Sequence, residues 1–206
     1  GYSVVAVPSS HTTVSLLIRN VSYDPAGDFA GVTTLAENPL VMVAASAKGF
    51  QSVRDLVAAG KARPGSITFA SAGNGTSTHI SAEKFRMAAG FEALHVPFKS
   101  TTDGLNEVLA GRVNFVYTSL IAAMPAIKEG RIVALAMSSK RSSLLPNIPT
   151  IEEAGMANSA YGSWLGLLLP AKTPRDIVNR LHDETVRVLQ SRSEEHTSEL
   201  QSRGLI

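Results

Sequence analysis

Short runs of apolar residues alternate along the chain with segments in which apolar residues recur every three or four positions. The short runs predict β-strands. Several are continuous rather than alternating, which is typical of strands buried on both faces. The predicted strands are residues 3–7, 40–45, 66–70, 94–97, 113–117, 132–137 and 164–169.

The segments between these strands carry the start and stop signals of helices. Ser52 stands three residues before Asp55, a spacing typical of a helix N-cap, and the Thr173-Pro174 pair predicts the start of the last helix. Helix ends are predicted by the glycines that follow them, at Gly90, Gly111 and Gly130. The alternation of strands and helices predicts an α/β fold with a mainly parallel sheet.

The composition is that of an ordinary globular protein, with 44% hydrophobic residues, 17% charged residues and a net charge of +2. The basic residues are scattered, so no nucleic-acid partner is expected. Cysteine is absent and the histidines form no metal-binding pattern, so neither a metal site nor a cofactor is expected. Because the chain also lacks a Gly-x-Ser-x-Gly motif and a facing pair of acids, we expect no catalytic residues.

One turn carries the candidate chemistry. Residues 71–78, which we call the binding turn, follow a predicted strand and lead into a helix. Glycine lets backbone N–H groups approach a ligand closely, and a helix N-terminus offers unpaired donors and a partial positive charge. Hydroxyl and amide side chains surround the two glycines. The candidate ligand-binding residues of this turn are Ser71, Asn74, Gly75, Thr76 and Ser77.

The kind of anion follows from what the binding turn lacks. A Walker loop ends in Gly-Lys-Ser/Thr, whereas Gly75 is followed by Thr76-Ser77, which excludes an ordinary ATP or GTP site. A dinucleotide fingerprint needs a third glycine and an acid after the next strand, and neither is present. A carboxylate held by neutral donors fits best. A purely structural turn with a helix cap is the simpler alternative.

Hydroxyl groups also follow two other predicted strands. Ser9 and Ser10 follow the first strand, and Thr118 and Ser119 follow the fifth. Ligands of open α/β sheets lie beyond the carboxyl ends of the strands. We therefore expect these residues to converge with the binding turn, although exposed polar loops would show the same composition.

Several motifs, in this order along the chain, resemble the Bug or TctC family of extracytoplasmic solute-binding proteins. They are Ser52-Val-Arg-Asp-Leu56, Lys61-Ala-Arg-Pro-Gly65, Phe69-Ala-Ser-Ala-Gly-Asn-Gly-Thr-Ser-Thr-His79, His95-Val-Pro-Phe-Lys99, Pro149-Thr-Ile-Glu-Glu-Ala-Gly155, Ser163-Trp-Leu-Gly-Leu-Leu-Leu-Pro170 and Thr173-Pro-Arg175. This family supplies the receptors of tripartite tricarboxylate transporters. The resemblance implies a non-enzymatic receptor that captures a small carboxylate metabolite for the membrane components of the transporter.

The resemblance also implies an architecture. It is that of a two-lobed periplasmic binding protein of type II topology, monomeric and closing on its ligand like a clamp. Residues 1–39 and 160–190 would be what remains of the first lobe, and residues 40–159 would form the second lobe with its crossing strand. A periplasmic location is implied, although this chain carries no signal peptide.

The resemblance places the ligand contacts residue by residue. Ser9 and Ser10 would face the ligand from the first lobe, and the binding turn would hold its carboxylate from the second. Thr118 and Ser119 stand where many relatives carry an Asp-Asn pair, which removes an acceptor for a ligand ammonium group. An amino acid is therefore not the expected ligand.

Both ends of the chain depart from the family pattern. Relatives have a leading strand–helix unit with a Pro-Gly-Gly loop and further closing helices, so we expect a chain truncated at both termini, with an incomplete first lobe and exposed apolar surface. Residues 192–202 resemble the translation of a common short-read sequencing adapter. We expect residues 191–206 to be an artefactual tail.

Two other functions remain open from the sequence. A small α/β enzyme could use the binding turn for a cofactor phosphate, and binding of NAD or a nucleotide would reveal it. A ligand-sensing domain of a regulator would share the same fold, since a fold alone does not determine function.

Overall fold

The computed structural model describes residues 3–18 and 20–202. Its strands are β1 (Val5–Pro8), β2 (Phe29–Asn38), β3 (Leu40–Ala45), β4 (Ile67–Ser71), β5 (Ala93–Pro97), β6 (Phe115–Ser119), β7 (Ile132–Met137) and β8 (Ser163–Pro170). Its α-helices are α1 (Val14–Leu17), α2 (Val53–Ala62), α3 (Ser77–Ala89), α4 (Thr101–Leu109), α5 (Leu120–Lys128) and α6 (Arg175–Ser202), and short 3-10 helices span Ser9–Thr13 and Ser46–Lys48.

The chain divides into two compact units. The first combines the described residues up to Glu37 with those from Trp164 onward, and the second is Asn38–Ser163. Among the described residues, no helix has the length and apolar composition to cross a membrane.

The second unit is built on a five-stranded sheet with the strand order β5-β4-β6-β3-β7. Strand β4 pairs in parallel with β5 and β6, whereas β3 pairs antiparallel with both β6 and β7. The other four strands share one direction, so the prediction of a mainly parallel sheet is confirmed, with β3 as the antiparallel strand. Every residue of β3 is buried, because it has a strand on each side and helices over both faces.

Each face of this sheet buries its own apolar cluster. Alternate residues of a strand point to opposite faces, so Phe69 and Phe115 pack with α2 and α3, while Ala70 and Val116 pack with α4 and α5. Phe85 of α3 is completely buried. Packing against the sheet fixes the position of α3, and with it the turn that precedes the helix.

The first unit contains a three-stranded sheet with the order β1-β8-β2, in which β1 and β8 are antiparallel. Strand β2 was not predicted, because Phe-Ala-Gly-Val-Thr-Thr-Leu-Ala-Glu-Asn contains no continuous apolar run and only Val32 in it is buried. The buried cluster of this unit consists of Val32, Leu169 and Val178. A cavity of about 380 Å³ opens beside it, lined by Val4, Leu169, Ile177, Arg180, Leu181 and Glu184.

Helix α6 continues past Gln190, where the sequence-based helix was predicted to end, and runs to Ser202. The interpretation of residues 191–206 as an artefactual tail stays a prediction, because a helical backbone is compatible with many polar sequences of this kind.

Candidate functional site

The binding turn connects the end of β4 to the start of α3. Gly73 and Gly75 have φ angles of 114° and 77°, in the region that favours glycine. The two glycines are therefore required by the backbone path of the turn.

Thr76 caps helix α3. Its Oγ1 accepts a hydrogen bond from the His79 N–H at 3.4 Å and donates one to the Gly73 carbonyl at 2.8 Å. Among the described residues, the N–H groups of Ser77 and Thr78 have no acceptor, as is normal in the first turn of a helix. These two N–H groups and the positive end of the helix dipole have the chemistry to attract an anion.

Three of the predicted ligand contacts, Ser71, Gly75 and Thr76, use a donor inside the turn. The Ser71 side chain is fully buried, and its Oγ accepts a hydrogen bond from the Gly73 N–H at 3.0 Å. The Gly75 N–H donates to Nδ1 of His79 at 3.1 Å. These groups shape the turn, which leaves the exposed Asn74 side chain, the Ser77 hydroxyl and the helix N–H groups as its available donors.

Two histidine rings lie beneath the binding turn. His79 of α3 and His95 of β5 are stacked, with ring centroids 4.2 Å apart and planes 25° from parallel. Phe69 extends the stack, with its ring centroid 4.9 Å from that of His95. Burial holds the pKa of His79 and that of His95 below the ordinary value of 6.5, and the neighbouring His79 lowers the pKa of His95 further.

The end of β6 lies beside the binding turn. Ala70 of β4 is the register partner of Val116 of β6, and the two strands are parallel, so their carboxyl ends share one edge of the sheet. Thr118 is fully buried, and its Oγ1 has no partner among the described residues. Ser119 is half-buried at the start of α5. The structure thus brings together the two polar strand ends of the second unit.

A third polar segment, which was not predicted from the sequence, reaches the same edge. Ser163 Oγ donates a hydrogen bond to Ser77 Oγ at 3.3 Å. The Tyr161 N–H donates to the Ser138 carbonyl at 3.0 Å, and Ser138 follows β7. Contacts between residues so far apart in the chain leave no local pattern that sequence analysis could detect.

Ser9 and Ser10 belong to the first unit, where they open the 3-10 helix after β1. Ser9 is buried, and its Oγ has no partner among the described residues. The Ser9 carbonyl accepts from Thr12 Oγ1 at 2.8 Å, and the Ser10 carbonyl accepts from Thr13 Oγ1 at 3.0 Å. In the part of the chain that the structure describes, no group of three or more His, Cys, Asp or Glu residues could hold a metal ion.

Solved structures of binding proteins resemble this chain. Rpa4515 of R. palustris with adipate is 31% identical, with a TM-score of 0.76. MatC of Rhodopseudomonas palustris with bound malate and the periplasmic binding protein BugD are each 26% identical, both with TM-scores of 0.75. The similarity covers 89% of this chain for the first two and 91% for BugD, and 62% of each of those chains. The fold is therefore that of the periplasmic binding proteins.

Sequence comparison gives the family. The chain spans about half the length of the curated relatives that it matches. The family described as "Tripartite tricarboxylate transporter family receptor", TctC, matches residues 1–197. The resemblance noted in the sequence is thereby confirmed, and the chain belongs to the TctC family of solute-binding receptors.

Proposed function

We propose that this receptor binds a small carboxylate, with a dicarboxylate as the first candidate, in the periplasm. In this proposal it acts as a monomer and delivers its ligand to the membrane components of a tripartite tricarboxylate-type transporter. Two similar proteins support the ligand class, since their structures contain adipate and malate. The periplasmic location is supported by the similar binding protein BugD.

The proposal is carried by Ser77 and Thr78, whose N–H groups have no acceptor within the described part of the chain. A carboxylate offers two oxygens with several lone pairs, and hydrogen bonds to a charged acceptor contribute roughly 1.5–3 kcal/mol each. The Asn74 amide adds a neutral donor at the exposed side of the turn. The Ser77 hydroxyl is held by Ser163, which fixes the orientation of a further polar group at this position.

Residues 71–78 contain no charged side chain. A ligand held by neutral donors is released more readily than one held by a buried ion pair, because no unpaired charge is left behind in the protein. Ready release suits a receptor that must pass its ligand on. The same feature disfavours a cofactor phosphate, whose greater charge usually calls for a lysine or an arginine.

Thermal denaturation with and without ligand tests the proposal. Adipate or malate should raise the melting temperature in a concentration-dependent manner, because a ligand that binds only the folded state stabilises it. Adipamide, the uncharged diamide of adipate, is the matched control and should have no effect. Equal stabilisation by adipamide, or none by any carboxylate, would contradict the proposal. Stabilisation by NAD or a nucleotide instead would favour the cofactor-binding alternative.

A further inference from the structure

The two histidines beneath the binding turn are each connected to one of its glycines. Nδ1 of His79 accepts a hydrogen bond from the Gly75 N–H at 3.1 Å. Nε2 of His95 lies 2.6 Å from Ser71 Oγ, and that same oxygen accepts the Gly73 N–H at 3.0 Å. The connection is direct for Gly75 and passes through Ser71 for Gly73. Both residues with positive φ in the turn are therefore connected to an imidazole nitrogen.

We propose that His79 and His95, as a neutral stacked pair, are positioning residues that hold the binding turn in its ligand-binding conformation. This inference rests on the proposed function of the turn. The histidines make no contact with the ligand in this account. They act by fixing the glycines, and through them the start of α3 where the free N–H groups lie.

The hydrogen bond at His79 requires an unprotonated ring. Nδ1 can accept the Gly75 N–H only while it carries a lone pair, which assigns the proton of neutral His79 to Nε2. Protonation of His79 removes this acceptor, and protonation of both rings brings two positive charges face to face. The binding turn should therefore lose its support when the histidines become charged.

The charged groups around the pair are few. On α3, Glu83 attracts a proton to both rings, but its carboxylate is engaged by Arg86 at 2.7 Å. Strand β4 carries no ionisable side chain and places Phe69 against both rings. On β6, Tyr117 is fully buried, and burial raises the pKa of its hydroxyl so that it stays neutral. Burial therefore lowers the pKa of both rings by more than Glu83 raises it, and both rings stay neutral at pH 7.

Nuclear magnetic resonance of the ligand-free protein tests the connection without reference to any ligand. The ring resonances of His79 and His95 should titrate below pH 6.5, and the amide resonance of Gly75 should shift along the same curve as His79. An amide of Gly75 that is insensitive to this titration would overturn the proposal. The amide of Gly65, another glycine with positive φ in the same unit, is the internal control and should not follow it.

Substitutions then separate positioning from simple packing. His79→Phe keeps an aromatic ring in the stack but removes the acceptor, so affinity for adipate should fall about tenfold or more at pH 8. His79→Asn places an amide oxygen near the position of Nδ1, so it should bind better than His79→Phe. His95→Gln places an amide group near the position of Nε2. His182→Gln, a histidine of the first unit bonded to the Val32 carbonyl, is the matched control.

The pH profile of adipate affinity distinguishes a positioning role of the two histidines from a packing role. In the wild type and in His182→Gln, affinity should fall about tenfold between pH 7.5 and pH 5.5, beyond the decrease caused by protonation of adipate itself. The double variant His79→Asn with His95→Gln should lose this extra decrease. An unchanged pH profile in the double variant, or equal affinity of His79→Phe and His79→Asn, would overturn the proposal. If adipate binds neither the wild type nor any variant, the proposed function fails. The titration of the ligand-free protein still tests the role of the histidines in that case.

Discussion

Thr76 and His79 stabilise the same turn from opposite directions. The hydroxyl of Thr76 accepts the backbone N–H of His79, and the ring of His79 accepts the backbone N–H of Gly75, the residue before Thr76. The helix cap and the turn are therefore stabilised by the same two residues. A change in one should alter the other. The cap of α2 is built in the same way, since Ser52 Oγ accepts the Asp55 N–H and the Asp55 carboxylate accepts the Gln51 N–H, but at α3 the second acceptor is an imidazole.

Removal of the α3 cap should reduce both stability and ligand binding. Thr76→Val keeps the side-chain volume but loses the acceptor, so the free energy of unfolding should fall by about 1 kcal/mol. The matched control is Ser52→Ala, because Ser52 caps α2 in the same way through the Asp55 N–H at 3.2 Å. Chemical denaturation should show similar losses for both variants. Calorimetry should show weaker carboxylate binding for Thr76→Val only, and a loss of affinity in both would count against the assigned site.

A pair of glycine substitutions separates backbone strain from ligand binding. Gly75 and Gly65 have nearly the same φ, 77° and 75°. Alanine at either position should therefore cost roughly 1–2 kcal/mol of stability, because an L-residue is strained there. Gly75→Ala should also lower carboxylate affinity, whereas Gly65→Ala should leave affinity unchanged. Equal affinities in the two variants would show that the exact path of the turn is irrelevant to binding.

Stability should fall as the pH decreases below about 6.5. The pKa of His79 and that of His95 are lower in the folded protein than the ordinary value of 6.5, so the unfolded chain takes up protons first. The contribution of the two histidines to the free energy of unfolding is complete above the pKa of unfolded histidine. It is lost as the pH falls through their lowered pKa values in the folded protein. Denaturation between pH 5 and pH 8 measures this slope. The double variant His79→Asn with His95→Gln should show a smaller slope than the wild type, and an identical slope would be evidence against the assignment.

The position of α3 depends on one buried aromatic side chain. Phe85 is completely buried and meets Phe91 and Phe115 edge to face, with both centroid distances at 5.6 Å. Phe85→Ala should therefore cost about 3–5 kcal/mol of stability. Met87 lies two residues further along the same helix and is 72% exposed, so Met87→Ala should change stability by less than about 0.5 kcal/mol. Equilibrium denaturation of both variants measures the difference, and similar losses would contradict this orientation of α3.

Local patterns predicted most of the second unit but only part of its site. The continuous apolar runs, the helix cap at Ser52 and the glycines of the turn are local patterns, so they identified strands, helices and the binding turn, whereas the cap at Thr76 was not predicted. The antiparallel pairing of β3 and the contact of Ser163 with Ser77 depend on residues distant in the chain. His79 and His95 end and begin two separate motifs in the sequence, and only the fold brings their rings together. The mutual dependence of the two rings could not be deduced from their spacing.

The ligand class can be tested at Thr118 and Ser119, the last two residues of β6. Thr118 is buried and offers only a hydroxyl, so no carboxylate at this position can neutralise a ligand ammonium group. Burial of an unpaired charge is costly, so glutarate should bind more tightly than glutamate, which has the same carbon chain with an added ammonium. Calorimetry with the two ligands measures this preference.

The variant Thr118→Asp with Ser119→Asn should shift this preference toward glutamate, and the control Thr118→Val, which removes only the hydroxyl, should not. Tighter binding of glutamate than of glutarate by the unaltered chain would show that the ammonium finds its acceptor elsewhere in the protein.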